Sequence, residues 1–265
     1  MTERDNILII ERLSAGYIKG RHEKVILNDV NATAARGELI AVIGRNGSGK
    51  STLLRTVAGL QRPAAGRIYI DNTEIRKFSR KQLAKTVGYV STEIVKVQNM
   101  SVYDLVALGR FPHTDWTGRM DGENDSYVQR ALADTGMLEM SLRHISELSD
   151  GERQRAMITR ALAQNAGLMI MDEPTAFLDI VGKYEIFDLL HTIAKQRGKT
   201  IIFSTHDLQM AMNRADKIWL LNDSTLHEGS PEELTGSGAF NKIFDSAKVK
   251  YDMDGSVFAF LSSDN

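Results

Sequence analysis

Apolar positions along the chain follow two different periods. Short runs of strand character come first: Ile7–Ile10, Val25–Leu27 and Leu39–Ile43, the last bounded by Gly37 and Gly44. From Lys50 to about Leu60 the period becomes helical, with Leu53, Leu54, Val57, Ala58 and Leu60 on one stripe. Gly66–Asp71 and Val87–Val90 read as further strands. Between Ser101 and about Ala163 the pattern is helical again, and the pairs Ser101/Asp104 and Ser149/Glu152 have the spacing of capping boxes. Strand and helix then alternate: Leu168–Met171, a helix around Gly182–Gln196, Thr200–Ser204, a helix from Leu208, and Lys217–Leu221. Such alternation predicts an α/β fold whose largely parallel sheet is covered by helices. In the tail, Lys248–Tyr251 and Ser256–Leu261 flank Asp254-Gly255, which predicts a β-hairpin. The expected organisation is a core over residues 1–240, a helical portion inserted at about 93–160, and a C-terminal extension over 241–265.

Composition narrows the reading. The 265 residues are 42% hydrophobic and 25% charged, the balance of an ordinary globular protein. Basic and acidic residues number 33 and 34, so the net charge of −1 lacks the basic excess of a dedicated nucleic-acid binder, and no nucleic-acid partner is expected. Without cysteine, thiol catalysis, disulfides and zinc–thiolate sites are excluded. The opening MTERDNILII is too charged for a secretory signal. Apolar runs reach only about five residues against the ~20 that span a bilayer. Action at a membrane would therefore need a membrane-embedded partner.

Three strand ends carry candidate chemistry. Gly44-Arg45-Asn46-Gly47-Ser48-Gly49-Lys50-Ser51, followed by Thr52, follows a buried strand and opens a helix. That is the spacing and context of a phosphate-binding loop. Glycines let the backbone N–H groups face phosphate oxygens, and the helix N-terminus adds a positive dipole end. Lys50 can reach the β- and γ-phosphates, and the Ser51 hydroxyl can ligate Mg²⁺. The apolar run Leu168–Met171 ends in Asp172 and Glu173. Ligands of open α/β sheets bind beyond the carboxyl ends of strands. Asp172 is placed to hold Mg²⁺ through water, leaving Glu173 to polarise an attacking water. His206 follows the strand Thr200–Ser204 and can contact a γ-phosphate.

Taken together, the motifs resemble those of ABC ATPases. Leu148-Ser149-Asp150-Gly151-Glu152 before Arg153-Gln154-Arg155 is similar to the LSGGQ signature. The phosphate loop, this signature, Met171-Asp172-Glu173-Pro174-Thr175, a D-loop at Leu178-Asp179 and a switch histidine at His206 occur in the family's order over roughly residues 7–235. The resemblance implies a phosphate-loop NTPase core with a mostly parallel sheet, an N-terminal antiparallel β subdomain and an inserted helical subdomain. It further implies ATP and Mg²⁺ as cofactors and Tyr17 as the ring stacked on adenine; a plain core tyrosine is the other reading of that residue. The signature, Ser149 to Glu152, would bind the ATP held by an opposite subunit. One chain carries one phosphate loop and one signature, so two complete sites require a homodimer.

Two positions depart from the family. Asp150 and Glu152 stand where Gly and Gln are common, and their carboxylates would repel a nearby phosphate. After Val87-Gly88-Tyr89-Val90 the sequence continues Ser91-Thr92-Glu93, without the family's Pro-Gln, so Thr92 and Glu93 mark the Q-loop region and either Glu93 or Gln98 takes the glutamine's place. Leu108-Gly109-Arg110-Phe111-Pro112, leading to Trp116, resembles importers of iron-siderophores, haem and cobalamin. That resemblance implies separate transmembrane permease subunits, indirectly a substrate-binding protein, and a peripheral location at the cytoplasmic face of the cell's inner membrane. Phe111, His113 and Trp116 would meet the permease or pack within the helical subdomain. An importer of another small solute and a soluble ABC ATPase of iron–sulfur cofactor assembly are the alternatives.

Overall fold

Two long strands, β1 (Asn6–Lys19) and β2 (His22–Ala35), pair antiparallel, and β1 also pairs antiparallel with β4 (Ala65–Ile70). With β5 (Thr73–Glu74) they make a sheet of order β2-β1-β4-β5 in the computed structural model. That structure describes residues 6–19, 22–92, 99–115, 118–240, 249–252 and 257–260. The second sheet contains β3 (Leu39–Gly44), β6 (Val87–Val90), β7 (Leu168–Met171), β8 (Thr200–Ser204), β9 (Lys217–Asn222) and β10 (Thr225–Gly229). Its order is β10-β9-β3-β8-β7-β6, and every pairing is parallel except that of β10 with β9.

Strands β3, β7 and β8 are buried at every position, because the sheet is covered on both faces. Alternate side chains then serve two different cores. Ala41, Ile43, Met169, Met171, Ile201 and Phe203 face a core shared with the helices, whereas Ile40, Val42, Leu168, Ile170 and Ile202 face one shared with the antiparallel sheet and α1 (Lys50–Val57). A continuous apolar run thus reads as uniform in sequence yet divides between two packing environments.

Helix α1 stops at Val57, short of the Leu60 end that the apolar stripe predicts. Gly59 takes a left-handed φ of +71°, which terminates the helix and leaves Leu60 63% exposed. Outside the predicted elements lie α2 (Arg80–Thr86), whose Ser79/Gln82 capping box starts it, and α8 (Pro231–Gly236). The helical stretch resolves into α3 (Val102–Ala107), a 3₁₀ segment Leu108–His113, α4 (Gly122–Asp134) and α5 (Asp150–Ala163). Pro112 lies within the 3₁₀ segment, where its missing N–H prevents an extension of α3. Helices α6 (Ile180–Arg197) and α7 (Leu208–Arg214) cover the sheet on the same side. In the C-terminal extension β11 (Val249–Asp252) pairs antiparallel with β12 (Val257–Phe260), Val249 opposite Phe260. The predicted hairpin's turn, Asp254-Gly255, and its flanks Lys248, Ser256 and Leu261 lie outside the described residues.

The far end of α5 fixes the helical portion to the sheet. Gln164 donates through Nε2 to the carbonyls of Ala84 and Val87, and Arg160 donates to Tyr89 O. Arg110, buried and lying 4.1 Å over the Tyr127 ring, donates to Ala163 O at 2.9 Å and Gln164 O at 3.3 Å. His113 Nε2 donates to Gln164 O at 2.9 Å. The carbonyls that the helix leaves unpaired at its C-terminus are thereby satisfied by cationic or ring N–H groups. Gly109 permits this approach, since a Cβ there would lie 2.2 Å from Arg160 O. Gly109→Ala should therefore destabilise the protein by about 1–3 kcal/mol through forced separation of the 3₁₀ segment from α5. Denaturant titration checks this, and an unchanged midpoint would contradict the contact.

Candidate functional site

Strands β7, β8 and β3 are neighbours and run in the same direction, so the loops after Met171, Ser204 and Gly44 open on one edge of the sheet. This is why three motifs far apart in sequence meet. In the first loop, Gly47 and Gly49 have φ of +80° and +103°, values that a side chain would strain. Gly44 leaves no room for a Cβ, which would lie 2.5 Å from Ser48 Oγ. Arg45 and Asn46 stand exposed at the loop's rim. Gly49 caps α1 with no side-chain hydrogen bond, which leaves the helix end to backbone N–H groups. Lys50 is buried, and its ammonium donates to Gly44 O at 2.9 Å and Arg45 O at 3.3 Å. Burial lowers the Lys50 pKa, and the charges of Glu173 and Asp172 oppose that shift. Ser48 Oγ is buried with no hydrogen-bond partner, an orphaned hydroxyl that a bound oxyanion would satisfy.

Asp172 is buried, 4% exposed, and its Oδ1 accepts from Ser51 Oγ at 3.0 Å and Ser204 Oγ at 2.8 Å. Ser204 Oγ in turn accepts from the Glu173 backbone N–H at 2.8 Å. Two strand ends and the phosphate loop are thus joined through one carboxylate oxygen. The Ser51 hydroxyl beside the Asp172 carboxylate offers hard oxygen donors, the set that suits Mg²⁺ when phosphates and waters complete its shell. Glu173 has a left-handed φ of +49°, a conformation that costs a non-glycine residue about 1–2 kcal/mol. The turn brings Glu173 Oε1 to 2.7 Å from His206 Nε2. An open cavity of about 750 Å³ lies in front of this pair, lined also by Thr175, Phe177 and Lys183.

Ser204 is the residue the sequence reading missed. Its only signal is a small hydroxyl ending an apolar strand, a common way for strands to finish. The remaining candidates lie around this edge. Thr52 Oγ1 donates to Tyr17 OH at 3.1 Å, which holds the half-exposed Tyr17 ring beside α1. Thr92 Oγ1 donates to Asp172 O at 2.9 Å. Glu93 and Gln98 lie outside the described residues.

The signature residues occupy a different groove. Ser149 caps α5 by accepting from Glu152 N at 3.3 Å, while Ser149 N donates to Glu152 Oε2 at 2.8 Å. The Ser149 backbone N–H, and after it the Ser149 hydroxyl, hydrogen-bond to the Glu152 carboxyl and hold it below its usual pKa. Asp150 pairs with Arg153 at 2.7 Å, and Arg153 also donates to Leu148 O. Both acidic departures are therefore engaged within their own helix. Nothing lies within 4 Å of a Cβ built at Gly151. Asp179 caps α6 by accepting from Gly182 N at 2.8 Å. Ser149, Asp150, Gly151, Glu152 and Asp179 line a groove of about 620 Å³ that includes no described residue of the phosphate loop and neither Glu173 nor His206. This groove adjoins the cavity in front of Glu173 and His206, with Phe177 and Leu178 lining both.

A phosphate-type loop, a buried carboxylate and a Glu–His pair on one sheet edge, with a capped signature helix elsewhere, define a cassette of the nucleotide-hydrolysing class. The chain belongs to the ABC transporter family, whose model matches residues 27–176. It is 36% identical over 240 residues to the iron(3+)-hydroxamate import ATP-binding protein FhuC of Bacillus subtilis strain 168, covering 90% of this chain and 88% of that one. A metal-chelate type ABC transporter solved in an inward-facing conformation superposes with a TM-score of 0.78 at 27% identity, over 91% of this chain and 89% of the other. A dimeric ATP-binding cassette in a post-hydrolysis state, bound to ADP and Pi, superposes with a TM-score of 0.72 at 28% identity, over 84% and 98%.

Ser204→Ala should remove the bond to Asp172 and leave the Glu173 N–H unsatisfied. The expected loss is about 1–3 kcal/mol of stability, read by denaturant titration. Wild-type stability would show that the Asp172–Glu173 turn holds without this hydroxyl.

Proposed function

We propose that this chain is the ATP-hydrolysing subunit of a membrane importer for iron-siderophores, haem or cobalamin. The carrying observation is the shared edge on which Asp172 meets Ser51 while Glu173 meets His206. The loop amides and Lys50 bind the triphosphate, and Tyr17 stacks on adenine. Ser51 and Asp172 hold Mg²⁺, which when bound neutralises charge on the phosphates. Glu173 accepts the proton of the attacking water, and His206 fixes the orientation of Glu173 and the γ-phosphate. Two chains close head to tail, so that Ser149 and Gly151 of one face the nucleotide on the phosphate loop of the other, with Asp179 at the junction.

The cargo class rests on the iron(3+)-hydroxamate name of the relative and the metal-chelate class of the solved structure. Among the described residues no helix is long and apolar enough to cross a membrane. In this reading the permease is a separate subunit. Its docking surface is the groove of about 610 Å³ lined by Leu60, Leu83, Leu108, Phe111 and Pro112, where Phe111 is 70% exposed. His113, bonded to Gln164 O, belongs to the packing behind this groove, and Trp116 lies outside the described residues. In this reading the protein sits at the cytoplasmic face of the inner membrane through its permease, and a substrate-binding protein supplies the cargo.

Glu173→Gln should keep ATP binding and lower turnover about 10²–10⁴-fold, accumulating an ATP-bound dimer. Turnover near the wild-type level would remove Glu173 from the role of base. Lys50→Ala should lose affinity for ATP, and binding assays that find it unchanged would place the triphosphate elsewhere. For the signature, Asp150→Gly in the Glu173→Gln background should lower the ATP concentration at half-dimerisation, because it removes a carboxylate and frees Arg153. The Asp150 carboxyl is mostly exposed and already paired, so the shift is at most about fivefold, the scale of a surface ion pair. Sedimentation across an ATP titration reads it, and a shift to higher ATP would leave Asp150 as a helix-end residue only.

A further inference from the structure

Lys183 sits in a position that helix energetics does not explain. It ends the first turn of α6, where the helix dipole disfavours a cation. Its backbone N–H bonds to Asp179 O at 3.0 Å, so it moves with the D-loop. Its ammonium lies 3.8 Å from Asp207 Oδ2, with the two side chains 34% and 26% exposed. Asp207 is the residue after His206. Its Oδ1 accepts from Met210 N at 3.2 Å and caps α7, and its own N–H donates to Thr205 Oγ1 at 3.0 Å. Asp207 is thus fixed on the α7 side, with one carboxylate oxygen turned toward α6. Lys183 and Asp207 line the same cavity as Glu173 and His206.

We infer that Lys183 is a positioning residue for hydrolysis: it ties the D-loop helix to the turn carrying His206, and so fixes the His206–Glu173 pair. The inference rests on the catalytic reading of Glu173 and His206. The Lys183–Asp207 ion pair links the start of α6 to the His206 turn through side chains. His206 itself is half-exposed and bonded on one side to Glu173, so the backbone next to it decides where its ring points. A displacement of the D-loop would reach the Glu–His pair through this contact. Neither the Asp207 ion pair nor the cavity that Lys183 lines includes a described residue of the phosphate loop, Ser51 or Asp172, so the expected effect is on turnover and not on nucleotide affinity.

The test compares Lys183→Met, Lys183→Arg and the double variant Lys183→Met/Asp207→Asn in steady-state ATP hydrolysis by the full chain. Lys183→Met should lower kcat about three- to fivefold, the size of a partly exposed ion pair, with KM for ATP unchanged. Lys183→Arg should restore kcat, and adding Asp207→Asn to Lys183→Met should lower it no further. In the Glu173→Gln background, Lys183→Met should leave the ATP midpoint of dimerisation unchanged, which separates positioning from a role in holding the dimer. A wild-type kcat in Lys183→Met, failure of Arg to rescue, or a raised KM overturns the inference. Glu173→Gln measured alongside keeps the two claims apart. If it retains turnover, the reading of the site falls and this inference with it; if it loses turnover while Lys183→Met does not, only this inference falls.

Discussion

Everything at the sheet edge depends on one buried carboxylate oxygen. Asp172 Oδ1 receives the hydroxyls of Ser51, from the phosphate loop, and Ser204, from the end of β8. An ionised carboxylate at this depth is tolerated only while it is hydrogen-bonded. The same bonds that keep it in place therefore fix the relative positions of β3, β7 and β8 at their functional ends. Lys50 adds a cation whose own burial is offset in part by Asp172 and Glu173. The charges of Glu173 and Asp172 thus lower the cost of keeping Lys50 ionised at this depth.

Much of this arrangement could be read from the chain before its structure. The glycine spacing of residues 44–51 and the apolar runs ending in Asp172 and His206 determine which loops matter, because a strand buried on both faces has only its ends available for polar chemistry. Capping boxes at Ser101 and Ser149 were equally visible, since they are local hydrogen-bond patterns of fixed spacing. Long-range partners were not visible. Ser204 bonds across 32 positions to Asp172, and Arg110 across more than 50 to the end of α5. The acidic signature illustrates the same limit. Charge alone predicts repulsion at Asp150, and only the geometry shows Arg153 already paired with it. Helix α1 ended early because a left-handed Gly59 outweighed an apolar stripe that continued to Leu60.

Helix α5 joins the Ser149 groove to the Phe111 groove. Its first residues follow the Ser149 cap, and its last carbonyls are held by Arg110 and His113 beside the Phe111 groove. Only 14 residues separate these ends, about 21 Å of continuous helix. A rigid element of that length transmits tilt without needing a chain of side-chain rearrangements, provided that its far end is fixed. Gln164 and Arg160 provide that fixation through backbone carbonyls of α2 and β6.

The division of the interior by the central sheet has a further consequence for how the molecule yields under load. All nine methionines among the described residues lie in, or pack against, the core on the helical side, and none belongs to the core shared with the antiparallel sheet. Methionine is unbranched and polarizable, so it refills a changing space at little cost, whereas Ile, Val and Leu in fixed rotamers do not. The chain has in effect a compliant half and a stiff half, bonded back to back through the same strands. Side-chain repacking around a rigid α5 is therefore cheaper on the helical side than on the side of the antiparallel sheet.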